Sequence, residues 1–558
     1  MQRTMRRIGW VAVAAVCWAS GAVAAGHTGD TWPEPDIPVP VFKTDTFDIR
    51  DFGASTAADF LNTGAIQSAI DACHKQGGGV VLIPRGVWTS GPLSLKSKVN
   101  LHLMRNALLQ FSRDFEDYPL IETWWEGLPQ VRRHSPIRAE GQRDIAITGE
   151  GIIDGNGDAW RYVKKGKMTE SQWKNLVASG GVLTPDGKEW YPTASALKGR
   201  QYRDAGLITP DKTAAFFEEI ADFLRPNLVV LERCERVLLE GVTFQNSGAW
   251  NIHPLMSRDV TIRNITVRNP WYSQNGDGLD IESCTNVLVE GSSFDVGDDA
   301  ICVKSGKNAH GRKLGMPTEN LWVRNCTVFH AHGGFVVGSE MSGGARNLYV
   351  SDLTFIGTDI GLRFKTTRGR GGIVEDVHIR NIYMKDIPGE AILFDMYYEA
   401  KDPVPAAGEV RQPPKVETLP VSEETPQFRN FHISNIHCDG AKKAVFIRGL
   451  PEMPIRGIHF SELRMKTTGG IDIQEGADIT IKQSVIDATE TDPLLYVLNG
   501  RNVLVDGLSY GTHAATLLHA QGERTNGVVI RNTDTGRAEK QLKADYGANE
   551  NNVKLINP

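Results

Sequence analysis

One short phrase recurs through the second half of the chain: an apolar-x-apolar triplet, two polar or small residues, then another apolar-x-apolar stretch. It runs Val237-Leu238-Leu239-Glu240-Gly241-Val242-Thr243-Phe244, then Val260-Thr261-Ile262-Arg263-Asn264-Ile265-Thr266-Val267, then Val287-Leu288-Val289-Glu290-Gly291. It returns from Leu321, Leu348, Val377, Phe431, Ile458, Ile479, Val503 and Val528, mostly at intervals of 21 to 34 residues. Each phrase is two short alternating strands around a turn, and one such unit cannot bury its apolar face alone. Piled up, the units make a parallel β-helix with a continuous apolar core, so the chain is expected to be all-β and solenoidal. The interval fits neither a hexapeptide nor a leucine-rich period, and loops of variable length absorb the differences on the functional face.

The irregular segments fit the same picture. Asn62-Thr63 is expected to cap a helix with Ile66, Ile70 and Cys73 on one face, ended by Gly77-Gly78-Gly79 and placed to plug the N-terminal end of the solenoid. Residues 160 to 225 break the period with Lys164, Lys165, Lys167, Trp173, Trp190 and Tyr191, then a helix from Asp211 with Phe216, Ile220 and Phe223 inward. They are read as an insertion over the sheet. Residues 400 to 428 hold six prolines and separate two coils by 54 residues, as a long loop would. A length of 558 would suit several domains, but the repeat covers 140 to 535 without a linker, so residues 26 to 558 are expected to form one domain.

Met1 to Ala25 carries Arg3, Arg6 and Arg7, an apolar run from Ile8 to Ala19 and small residues before a cleavage point, which reads as a secretory signal too short to span a membrane. A periplasmic or extracellular, monomeric protein with no membrane span in the mature chain is expected. Besides Cys17, six cysteines are scattered, with no metal-binding spacing and no pairing that the sequence defines. No metal or cofactor is expected. Net charge is −6, or about −9 without those three arginines, which excludes a basic nucleic-acid binder. Yet Lys304, Lys307, Arg312, Lys313, Arg363, Lys365, Arg368 and Arg370 cluster around a set of aspartates, the pattern of a protein that handles an anionic substrate.

Those aspartates are Asp277, in Asn275-Gly276-Asp277-Gly278, and the pair Asp298-Asp299, offset by 21 and 22 residues, about one coil. His332-Gly333-Gly334 and Arg363-Phe364-Lys365 follow at a little more than one coil each. On a strand Arg363 and Lys365 share a face while Phe364 enters the core. Asp298-Asp299, beside Gly297, is expected at a strand end or bulge. Carboxylates on adjacent rungs raise the pKa of at least one, which supplies the acid and base that glycoside hydrolysis needs. Each piece alone also suits a turn or a solvated strand face; four in order at coil spacing do not.

The ordered Asn275-Gly276-Asp277, Asp298-Asp299, His332-Gly333 and Arg363-Phe364-Lys365 resemble glycoside hydrolase family 28, the polygalacturonase family of right-handed parallel β-helices. Asp51-Phe52-Gly53-Ala54, Gly77-Gly78-Gly79 and Gly155-Asn156-Gly157 extend the likeness to about residues 47 to 535. The resemblance implies hydrolysis of α-linked galacturonic acid in pectic polysaccharide or oligogalacturonides, with inversion and no cofactor. Asp298 would be the general acid; Asp277 and Asp299 would activate water, 6.5 to 9.5 Å from the acid in the usual inverting arrangement. His332 would tune the acid, with His330 an alternative, and Arg363 and Lys365 would bind the sugar carboxylate. Asn275, Lys304, Tyr398 (or Tyr397) and His253 join as substrate-binding candidates, although a packed His253 fits equally well. Gly276 stands where the family commonly has Thr, and His332 is offset by one residue from the usual position when Gly338-Ser339 is aligned. The insertion and His332-Gly333-Gly334-Phe335 resemble exo-acting members. Endo attack and action on rhamnogalacturonan oligosaccharides remain alternatives within the family. A calcium-dependent pectate-lyase-type enzyme and an inert carbohydrate-binding β-helix lie outside it.

Overall fold

The computed structural model describes residues 32–398, 417–511 and 513–556. The expected signal segment, residues 1–25, and most of the Pro-rich loop lie outside the described residues. The recurring phrase stacks residue on residue: Val237, Val260, Val287, Leu321, Leu348, Val377, Phe431, Ile458, Ile479, Val503 and Val528 are consecutive partners in one parallel ladder. All are buried, and they line the core of a right-handed parallel β-helix in which, among the described residues, 33 strands join in three parallel stacks. The second of the two polar or small residues in each phrase turns the corner with a positive φ: Gly241, Asn264, Gly291, Asn325, Asp352, Asn381 and Asn435. Asn and Asp tolerate that conformation, and the ladder adds side-chain bonds, Asn381 Nδ2 to Asp352 Oδ1 at 2.9 Å and Asn435 Nδ2 to Asn381 Oδ1 at 2.8 Å.

Helix α1 (Thr63–Lys75) seats Ile66, Ala69, Ile70 and Cys73 in the N-terminal end of the core. Asn62 is not its side-chain cap. Its buried amide accepts from Ser55 N and donates to the Ser55, Phe60 and Thr89 carbonyls, tying a loop together instead. The six described cysteines are all free and buried, and burial pushes thiols such as Cys234 and Cys284 up to about 12.

Two irregular pieces lie over one stack. The insertion folds into helices Glu170–Ala178, Ala194–Gly199 and Ala214–Glu219 and a small antiparallel sheet of Val163–Lys164, Val182–Leu183 and Glu189–Tyr191. The last helix begins at Ala214, not Asp211, because the Thr213 hydroxyl accepts from Phe216 N and caps it there; Phe217 rather than Phe216 is the residue it buries. The second piece, an antiparallel hairpin of Leu120–Trp125 and Leu128–Arg133, has no counterpart in the repeat.

Candidate active site

Five strands of the stack under these pieces position the site: β1 (Ile252–Leu255), β2 (Leu279–Glu282), β3 (Asp299–Lys304), β4 (Gly333–Val337) and β5 (Leu362–Lys365). Leu279, Ile301, Phe335 and Leu362 pair in register and point into the core, as do Ile281, Val303, Val337 and Phe364. Alternation therefore sends Arg363 and Lys365 outward together. Asp277, Asp298 and His332 sit in the loops just before β2, β3 and β4, and Asp299 is the first residue of β3, so the acidic pair straddles a strand end.

Asp277, Asp298 and Asp299 each present an oxygen within 4.8 Å of the others. This is closer than the 6.5 to 9.5 Å of the usual inverting pair, because neighbouring coils lie only about 4.8 Å apart. Asn275, at φ 54°, donates its backbone N–H to Asp298 Oδ2 at 3.2 Å. Its side-chain oxygen accepts from Arg225 Nη2 at 2.8 Å, and Arg225 also holds the Gln274 and Gly248 carbonyls. Asn275 thus shapes the acidic loop. Gly276 has a steric reason: a Cβ there would fall 1.9 Å from Ser273 Oγ, so the Thr common in the family cannot fit this loop.

His332 Nδ1 is 3.2 Å from Asp298 Oδ1 and Nε2 is 3.7 Å from Asp359 Oδ2, which places the imidazole between two carboxylates. His330 is bound to Asp295 at 3.0 Å and does not substitute for it. Lys365 Nζ reaches Asp299 Oδ2 at 2.7 Å and Arg363 Nη1 reaches Asp299 Oδ1 at 3.2 Å. The Tyr398 ring lies 4.9 Å from Lys365 Nζ and 5.7 Å from the Arg363 guanidinium carbon, whereas Tyr397 is buried in the core.

Two candidates do not reach the groove. Lys304 is buried, 3.1 Å from Glu340 and 3.6 Å from Asp280, with its ammonium over the Trp250 ring, so its charge supports the acidic cluster from beneath. His253 is fully buried, with Nε2 2.8 Å from Glu282 Oε2 and the Trp250 ring packed edge-on against it. Most of the expected cationic cluster is likewise committed: Lys307 to Glu126 and Asp204, Arg312 to Glu424, Arg368 to Glu452 and Arg370 to Glu340. Such pairing cancels much of the charge pattern visible in the sequence, and Arg363 and Lys365 are the pair that meets Asp299.

Burial raises Asp277 well above the usual carboxylate range, and the nearby Asp280 and Asp298 add to the shift. Burial pushes Asp299 the same way, but Lys365, Arg363 and Lys304 outweigh it and hold the group low. Asp298 also ends low: burial raises it, and the bond to His332, the His332 charge and Lys365 together reverse that. His332 is raised by the same bond against its own burial. The environment thus favours the protonated form of Asp277 and of the His332 imidazole, and the ionised form of Asp298 and Asp299.

No repeat or motif announced the hairpin's role. Trp125 stacks on Trp250 at 4.4 Å, next to β1, and Arg132 lies over Trp125 while donating to the Arg225 carbonyl. The hairpin tip rests on the turn after β3, where a Cβ on Gly127 would come within 2.2 Å of Gly306 Cα. Glu126 meets Lys307 there at 3.3 Å. The hairpin thus reaches from Trp250, beside β1, to the turn that follows β3.

Residues 222–412 match the profile of Glycosyl hydrolases family 28. A probable polygalacturonase of Vitis vinifera is 32% identical over 345 residues, 60% of this chain and 60% of that protein. An exo-poly-alpha-D-galacturonosidase of Dickeya chrysanthemi is 29% identical over 358 residues, 63% of this chain and 57% of that protein. The chain thus spans about three fifths of the length of these relatives. The crystal structure of a hyperthermoactive exopolygalacturonase from Thermotoga maritima superimposes with a TM-score of 0.64 at 28% identity, covering 85% of this chain and 94% of that one.

Proposed function

The chain belongs to glycoside hydrolase family 28, and from that premise we propose that it hydrolyses α-linked galacturonic acid in pectic chains, removing residues from the non-reducing end. The observation that carries the exo reading is the hairpin tip seated against Gly306 and Lys307. A hairpin laid over the rungs that carry the acids suits a chain end better than a chain interior. Two of the similar proteins are themselves named as exo-acting.

In this reading Arg363 and Lys365 hold a sugar carboxylate through a bidentate fork and a point charge. Substrate covering the site strips water from the Asp298–His332 pair, which favours neutral partners and moves the shared proton to Asp298. Asp298 then protonates the glycosidic oxygen as the bond from the anomeric carbon to that oxygen breaks. In the form with Asp277 ionised, a water between Asp277 and Asp299 attacks the same carbon and its proton passes to Asp277, the stronger base of the two. Asp299, pinned by two cations, is poorly suited to act as a nucleophile, and a single displacement with inversion follows. The same two cations occupy the oxygens that a calcium-dependent lyase would offer to its metal. Polymeric pectin is met outside the cytoplasm, so the reading also places the enzyme in the periplasm or beyond.

Incubation of the purified chain with polygalacturonate and a chelator tests this. Saturated galacturonic acid monomer, with the β-anomer first in proton NMR, is expected. A ladder of oligomers would replace exo by endo attack, unsaturated products would indicate elimination, and a first-formed α-anomer would overturn inversion.

A further inference from the structure

A cavity of about 680 Å³ opens beside His332, with Asp299 outside its lining. Its walls are the loops before four successive rungs, with Trp271, His330, His332 and Asp359 among the lining residues, and Lys167 is contributed by the insertion. The acids and histidines of this wall pair among themselves, His330 with Asp295 and His332 with both Asp298 and Asp359. Lys167 does not. Among the described residues its ammonium makes no hydrogen bond or ion pair, although it is half-buried and lies within the field of Asp298 and Asp359. Holding a cation out of water with no direct partner is unfavourable unless an anion arrives to meet it. Trp271 is 53% exposed in the same wall, a flat apolar surface of the kind on which a sugar ring packs.

The insertion is built to hold this wall in place. Its small core of Val163, Trp173 and Trp190 packs against Tyr272, the neighbour of Trp271 in the acidic loop. The Thr169–Gln172 capping box starts the helix that carries Trp173 just after Lys167. Lys167 and Trp271 are thereby fixed by one packed unit.

We propose that this cavity binds one uronate ring of the substrate, with Lys167 meeting its carboxylate and Trp271 its apolar face. The cavity and the Arg363–Lys365 pair then flank the Asp298–His332 pair, so a bond joining two uronates bound at these positions crosses the proton donor. This rests on the substrate class proposed above.

Calorimetric titration separates the two. The full chain carrying Asp298→Asn is titrated with digalacturonate and with its carboxyl-reduced, neutral counterpart, and the titrations are repeated with Lys167→Met or Lys167→Arg added. Lys167→Met is expected to weaken digalacturonate binding about tenfold, the size of one charge-assisted contact. Binding of the neutral disaccharide should stay unchanged, and Lys167→Arg should keep most of the affinity for the acid. Equal binding of digalacturonate with and without Lys167 would overturn the cavity assignment while leaving the substrate class intact, as would equal losses for both ligands. Failure of the chain with Lys167 intact to bind digalacturonate would overturn both.

Discussion

Lys365 Nζ stands 2.7 Å from Asp299 Oδ2, with the two side chains 7% and 2% exposed. A buried pair of this kind is weak evidence of net stabilisation, but breaking it from one side strands a charge. Lys365→Met is therefore expected to destabilise the protein by about 3 kcal/mol. Adding Asp299→Asn should recover part of that loss while leaving activity absent. Urea unfolding of the two single variants and the double variant forms the cycle, and strictly additive losses would show that the pair is not coupled.

The proton-bearing groups set a pH window. His332 is raised above 6.5, so its contribution to stability is complete below pH 6.5 and is lost as pH rises through the folded value. Asp298 and Asp299 are held below 3.8, so theirs is present above pH 3.8 and is lost as pH falls through the depressed values. Asp277, raised, acts in the opposite sense to these two, and its contribution fades as pH climbs above 3.8. The gap in unfolding midpoint between the parent and His332→Gln should be widest below pH 6.5 and close at higher pH. A gap independent of pH would contradict the His332–Asp298 bond as its source.

Asp298→Asn removes the proton that the leaving oxygen needs while preserving shape. Turnover on oligogalacturonates should fall at least 100-fold, the order expected for general acid catalysis, with KM nearly unchanged. An enzyme that still turns over at the parent rate would have its acid elsewhere.

Ser273 Oγ and Gly276 compete for one space, since a Cβ at 276 would sit 1.9 Å away. Gly276→Ala should cost about 1–3 kcal/mol of stability, as overpacking does. Ser273→Gly in the same chain should restore much of it. Thermal denaturation of both variants decides this, and no rescue would place the strain at another contact.

The rungs were legible because a parallel coil repeats its own chemistry. Val237, Val260 and Val287 announce their pairing by position alone, and the acidic motifs are read against that ruler. Lys304 was misplaced and His253 left undecided because their fate depends on Glu340, Trp250 and Glu282, partners that alternation brings together but that no spacing rule singles out. The hairpin around Glu126 and the clamp from Arg225 to Asn275 were invisible for a related reason. They join segments 181 and 50 residues apart, across the stack instead of along it.

The left-handed corners at Asn264, Asn325, Asp352, Asn381 and Asn435 bear on how such a chain can change its length. A single residue inserted within a strand would turn the side chains beyond it to the wrong face unless a bulge absorbs it, as the rung at Ile387–Glu390 does before Ile392 returns to register with Val445. A whole coil carries its own corner and its own apolar triplet, and adds to the pile without disturbing the rest. Growth by integral turns lets the solenoid lengthen at its ends or between rungs of the same shape, while the three aspartates keep their mutual distances unaltered.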